Sequence, residues 1–170
     1  MNSTTERGAA SWLMTPEKGV LNPDQIAQLD AIFARILPGD PARNIPNAVK
    51  AGASLFVSQL LAMGPSVYVE ISNWQELYPA ALRALEQYCQ ANHQQSLTQA
   101  DDEKVNAIIA GLEQGSLAGF PSDIDQKTLF KTLLRHCLQG CFADPRWGGN
   151  RDKVMWRALG YLQLPEDNLA

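Results

Sequence analysis

Apolar residues recur at spacings of three and four along most of the chain, and Pro, Gly, Asn and Asp clusters break the runs. Asn22-Pro23 predicts the first helix start, with Asn22 as cap and Pro23 at the first helical position; Ile26, Leu29, Phe33, Ile36 and Leu37 form its stripe. Pro38-Gly39-Asp40-Pro41 ends it. Pro46 opens a second helix through Ala48, Val49, Ala53, Phe56, Val57, Leu60 and Leu61, which Gly64-Pro65 stops. Its small residues Ala51, Gly52 and Ala53 let another backbone come close. Residues 66–71 have strand-like chemistry but no second strand to pair with, so they read as a loop or helical turn. Ser72 and Gln75 have capping-box spacing for a third helix to about Gln94, with Pro79 in its first turns. Thr98 and Asp101 start a fourth, striped by Val105, Ile108, Ile109 and Leu112 and stopped by Gly115. Ser122 or Asp123 caps a fifth, running to about Cys141, and a short sixth runs from about Asp152 to Leu159.

The expected fold is therefore all-α: residues 1–21 an irregular leader, and residues 22–170 a single irregular helical domain of about five to six helices with long connections. Phe130, Leu134, Trp156 and Leu159 are expected in its core. At 170 residues such a domain buries roughly two-thirds of its unfolded surface and needs no staples. No internal repeat, low-complexity tract or coiled-coil heptad interrupts this reading.

Charge changes the picture by exclusion. The net charge is −4, and no dense Lys/Arg cluster supplies the basic face that nucleic acid requires. No apolar run is long enough to span a membrane. The first residues carry no twin arginine, no apolar core and no basic start of a secretory signal. Three cysteines are not a disulfide framework; Cys137 and Cys141, four apart on one helix, read as buried thiols.

Candidate chemistry is sparse. His136-Cys137-x-x-x-Cys141 fits neither covalent haem nor a common zinc site. There is no Gly-x-Gly-x-x-Gly after a strand, no phosphate-binding Gly-x-x-x-x-Gly-Lys and no Gly-x-Ser-x-Gly elbow. FAD held in the usual way needs a strand–loop–helix unit that a helical chain lacks. The expectation is no catalytic residue, no metal and no cofactor in this chain.

One segment departs from ordinary punctuation: Phe142-Ala143-Asp144-Pro145-Arg146-Trp147-Gly148-Gly149-Asn150-Arg151-Asp152. Pro145 fixes one angle, the glycines allow a tight reversal, and two acids sit among two arginines. Trp147 offers a large, stiff contact area of the kind found at interface hot spots. Two readings stand side by side. In one the loop packs on itself, Asp144 or Asp152 caps the last helix, and Trp147 fills the core. In the other the loop is presented to another protein, with Arg146, Trp147, Asn150 and Arg151 at or beside the contact.

This segment, with the following Trp156 and Leu159-Gly160-Tyr161, resembles the signature of the gluconate 2-dehydrogenase subunit 3 family. Upstream, Leu37-Pro38-Gly39-Asp40 and Ala48-Val49-Lys50-Ala51-Gly52 are similar to the family's Ile-Pro-x-Asp and Ala-x-x-Ala-Gly segments. The resemblance covers roughly residues 25–162. Trp147 stands for the usual Tyr, Cys141 for a small, Gly or aromatic residue, and Met155 for the Gly before Trp156. Many relatives carry a twin-arginine export signal, which these first residues do not show.

The resemblance implies a role. Such chains are non-catalytic small subunits of membrane-associated sugar or sugar-acid dehydrogenases, supporting folding, stability or export of a large subunit. That partner carries FAD and is of the glucose–methanol–choline type; a multihaem cytochrome c subunit with haem c often completes the complex. The location implied is a periplasmic, inner-membrane-associated complex if the chain is co-exported, and otherwise the cytoplasm. Two other classes remain open: a stand-alone helical enzyme built around His136 and the Arg146/Asp152 loop, and a free export chaperone that leaves the complex.

Overall fold

A computed structural model describes residues 19–161. It is all-α. Among the described residues seven α-helices run in the order α1 (Pro23–Ile36), α2 (Ala48–Ala51), α3 (Ala53–Ala62), α4 (Ile71–His93), α5 (Asp102–Gln114), α6 (Gln126–Phe142) and α7 (Val154–Ala158). Short 3-10 turns lie at Pro41–Arg43, Pro145–Trp147 and Arg151–Lys153. The only strand-like pairing among the described residues is an isolated bridge between Asp40 and Ile45. Most of the 1–21 leader lies outside the described residues. Its last part lies on α3: Val20 N–H donates to the Ser58 carbonyl (3.3 Å) and Leu21 N–H to the Ser58 hydroxyl (2.9 Å).

The start of α1 follows the expected chemistry. Asn22 Oδ1 accepts from Gln25 N–H at 2.9 Å, and Gln25 Oε1 accepts from Asn22 N–H at 3.0 Å. Two otherwise orphaned donors are thereby satisfied, worth about 1 kcal/mol. Other starts differ from the sequence expectation. The second helix is broken at Gly52, whose φ of +78° closes α2 and opens α3. A left-handed residue cannot continue a right-handed helix, and Gly takes that conformation without a Cβ penalty. The 64–67 turn delivers α4 at Ile71, ahead of the Ser72/Gln75 box, and its N-cap Glu70 makes no side-chain cap bond. Gln75 instead donates to the Leu61 carbonyl at 2.7 Å, tying α4 to α3. Pro79 sits well inside α4 rather than in its first turns. Asp101 is itself the cap of α5, accepting from Lys104 N–H, and Asp125, not Ser122 or Asp123, caps α6. The final helix is short because positive φ at Asn150, Asp152 and Lys153 defers it to Val154.

Helix α6 is the hub. It packs most closely on α3 and α5 and also meets α1, α2 and α7. Its buried side carries Leu129, Leu133, His136, Cys137 and Cys141. The core they join includes Leu29, Ile32, Phe33, Val57, Leu61, Tyr78 and Leu85. Small residues permit the tight α3–α6 approach: a Cβ at Gly140 would run into the backbone of Ala53. Four core expectations need correction. Phe130, Leu134 and Trp156 are only half-buried, and Leu159 is 60% exposed. The true buried stripe of α6 is offset from Phe130 and Leu134 by one position, onto Leu129 and Leu133. Leu159 lies beyond α7, where no element among the described residues covers it. Val49, also read as inward, is 37% exposed because the break at Gly52 turns α2 away from the line of α3.

Candidate partner-binding loop and groove

The 142–152 segment is a turn built almost entirely from local capping. Asp144 accepts from Arg146 N–H at 3.0 Å and starts the Pro145–Trp147 turn, with Pro145 in the position that needs no donor. Gly148 (φ +93°) reverses the chain, and Gly149 then lies so close to α6 that a Cβ there would strike the Gly140 carbonyl. Asn150 N–H donates to that carbonyl at 2.7 Å. The Asn150 side chain is wholly buried: its amide donates to the Ala143 carbonyl (3.2 Å) and its Oδ1 accepts from Met155 N–H (3.0 Å). Trp156 Nε1–H donates to the Phe142 carbonyl at 3.0 Å, closing the far end.

The four loop residues singled out by sequence therefore divide. Asn150 is spent inside the chain, holding the loop. Arg146 is exposed and pairs with Asp144 at 3.1 Å; that arginine keeps the Asp144 carboxyl below the usual range, chiefly by hydrogen bonds. Trp147 is half-buried with one side turned to a groove. Arg151 is exposed, with its stem over Gly52 and no acid paired to it among the described residues. Asp144 caps only the 3-10 turn, and Asp152 caps no helix.

Beside Trp147 lies an open groove of about 370 Å³. Its floor is Phe56 and Leu60 of α3, Met63 at the end of that helix and Trp74 of α4, and its far wall is Val67 and Tyr68. Arg135 and Gln139 of α6 supply its polar edge. The Arg135 guanidinium lies 4.9 Å from the Trp74 ring centre and 3.7 Å from the Glu70 carboxylate, and Tyr68 stacks on Trp74 at 5.4 Å. The aromatic cluster at the rim was not legible in the sequence: Trp74 is fourteen places from Leu60 and seventy-three from Trp147, and only the turn at 64–70 lays Tyr68 over it.

Behind the groove, His136 is fully buried and edge-on to Trp74, 4.4 Å between ring centres. Its Nδ1 bonds the Tyr78 hydroxyl at 2.8 Å, while Nε2 has no protein hydrogen-bond partner. Burial, and to a lesser degree the neighbouring Arg135 charge, pushes the imidazole down to about 3. Burial likewise raises the Tyr78 phenol. A bond to Cys141 and burial raise the Cys137 thiol; all three cysteines are free and buried. The arrangement holds a neutral histidine as a packing and bonding piece. Arg146 and Asp152, expected near it in the enzyme reading, lie on the exposed loop, so the structure does not assemble those three groups into one accessible site. Among the described residues no group of three or more His, Cys, Asp or Glu could hold a metal ion, and no helix is long and apolar enough to cross a membrane.

The chain is all-α, and its glycine- and asparagine-locked loop sets Arg146 and Trp147 beside an aromatic groove. The chain belongs to the family described as gluconate 2-dehydrogenase subunit 3, which matches residues 23–162. It is thus a member of a family of dehydrogenase subunits. Comparison with curated proteins and with solved structures gave no match.

Proposed function

We propose that this chain is a non-catalytic accessory subunit that binds and stabilises a large FAD-dependent dehydrogenase subunit of the glucose–methanol–choline type acting on a sugar or sugar acid. The observation that carries this reading is the construction of the family segment. Its backbone is fixed by bonds to carbonyls at the end of α6, while Arg146 and Arg151 are exposed and the half-buried Trp147 keeps one side to the groove. A surface held this rigidly loses little conformational entropy on association. The family description supports assembly into a dehydrogenase. The FAD belongs to the partner on this reading, and haem c to a cytochrome subunit. The complex is membrane-associated through those other chains, on the periplasmic side when exported.

The test is co-expression of the flavoprotein subunit with and without this chain. The expected result is higher soluble yield and FAD occupancy with it. Equal yield and equal flavin loading in both would remove the accessory role. Survival of the pair through gel filtration separates a resident subunit from a chaperone that departs after folding.

A further inference from the structure

We propose that the groove between α3, α4 and the Pro145–Trp147 turn seats a segment of the dehydrogenase subunit that carries a bulky apolar side chain next to a carboxylate; this rests on the accessory-subunit reading above. The inference starts from what lines the groove. Phe56, Leu60, Met63 and Trp74 give an aliphatic and aromatic floor, and Trp147 gives a flat wall. Its volume of about 370 Å³ suits a few side chains rather than a cofactor the size of FAD. Apolar surface continues outward along the rim: Tyr68 is 47% exposed and Val69 is 78% exposed. Two large apolar residues left uncovered next to an aromatic groove mark a contact surface better than singly scattered ones do.

Charge decides the chemistry of the occupant. Arg135 is the one charged residue lining the groove, and no carboxylate lines it. Its guanidinium is held over Trp74, while its nearest acid, Glu70, stands off at 3.7 Å with both side chains 42% exposed. That is a loose pair, so the arginine keeps donors free for an incoming carboxylate and is already positioned to give them. Arg146, beside Trp147, is already paired with Asp144 at 3.1 Å, and the stretch from 143 to 161 carries four basic residues against two acidic ones. The chain as a whole is at −4. A carboxylate on the incoming segment therefore meets the Arg135 donors with no carboxylate lining the groove to oppose it. Gln139 at the same edge can hydrogen-bond the backbone of whatever enters.

The experiment uses the flavin-dependent dehydrogenase subunit co-expressed with the tagged full chain. Tyr68→Glu and Arg135→Glu are compared with Arg83→Glu, an exposed position on α4 outside the groove. Melting temperature of each isolated subunit and the dissociation constant of each pair are read together. Expected are unchanged melting and an affinity loss of about tenfold or more for the two groove variants, with Arg83→Glu near wild type. Where a groove variant melts early, Tyr68→p-benzoylphenylalanine replaces it, and irradiation should cross-link position 68 to an apolar–acidic segment of the dehydrogenase. Wild-type affinity in both folded groove variants, or cross-linking from Leu159→p-benzoylphenylalanine but not from position 68, overturns the groove while leaving the accessory role intact. If the wild-type chain forms no complex at all, the accessory role itself fails.

Discussion

Asn150 shows how much one buried side chain does for this loop. It sits at φ +44°, a left-handed conformation that Asn tolerates and Ala resists. Its amide and oxygen serve the Ala143 carbonyl and the Met155 amide. Asn150→Ala leaves both groups unpaired in the interior, so a loss of about 2–4 kcal/mol is expected in urea unfolding; a melting curve like wild type would show the loop is held some other way. His136 makes a second prediction. Its folded value of about 3 lies below the ordinary 6.5. Between those values the unfolded chain takes up a proton that the folded chain refuses. Its contribution to stability is therefore complete above pH 6.5 and falls as the pH drops toward 3, by about 1.4 kcal/mol per unit. At pH 5 the expected loss is about 2 kcal/mol relative to pH 7.5. Asp30, raised by burial, has the opposite sign. Comparing wild type with His136→Gln, which keeps an acceptor for Tyr78, isolates the histidine; identical pH slopes in the two proteins would mean that its proton is not the cause.

Among the elements, α6 and the loop behind it behave as one piece. Gly149 and Gly140 touch through main chain, so Gly149→Ala sets a Cβ against a carbonyl that α6 cannot move. A cost of about 1–3 kcal/mol or more follows, read as a lowered urea midpoint; an unchanged midpoint would show that the turn relaxes freely. The periodicity of α1, α5 and α6 was legible because each is bounded by Pro, Gly or Asp and carries a single apolar stripe. The caps of α4 and α6 were misplaced for a physical reason. Ser122, Asp123 and Asp125 all precede α6, and α4 starts at Ile71 ahead of Ser72 on a Glu70 cap that makes no side-chain bond, so where the tertiary turn releases the chain decides both starts. The break at Gly52 was hidden for a similar reason. Gly amid apolar residues reads as close packing, and its positive φ appears only with the fold. The loop was legible as unusual, but its division into a holding Asn150 and a displaying Arg146 and Trp147 was not. Asn and Arg look equally fit for a surface until burial separates them.

At the scale of the molecule, the face formed by the loop and α7 draws four basic residues against two acidic ones from residues 143–161, in a chain of net charge −4. Association through that face should slow as salt rises, because screening at physiological ionic strength reaches only about 8 Å. Stopped-flow association with the dehydrogenase subunit should give an on-rate that falls between low and high salt while the off-rate changes less; a salt-independent on-rate would place the contact on neutral surface. The loop's attachment has one more consequence. Its holding bonds end on carbonyl oxygens of Gly140, Phe142 and Ala143, and every amino acid offers the same carbonyl. What the loop displays is thus uncoupled from what grips it. The turn is an exchangeable cassette: Arg146→Glu in a folded, unchanged scaffold should redirect it from an acidic to a basic counterpart, so a lineage can change its binding companion here without renegotiating its fold.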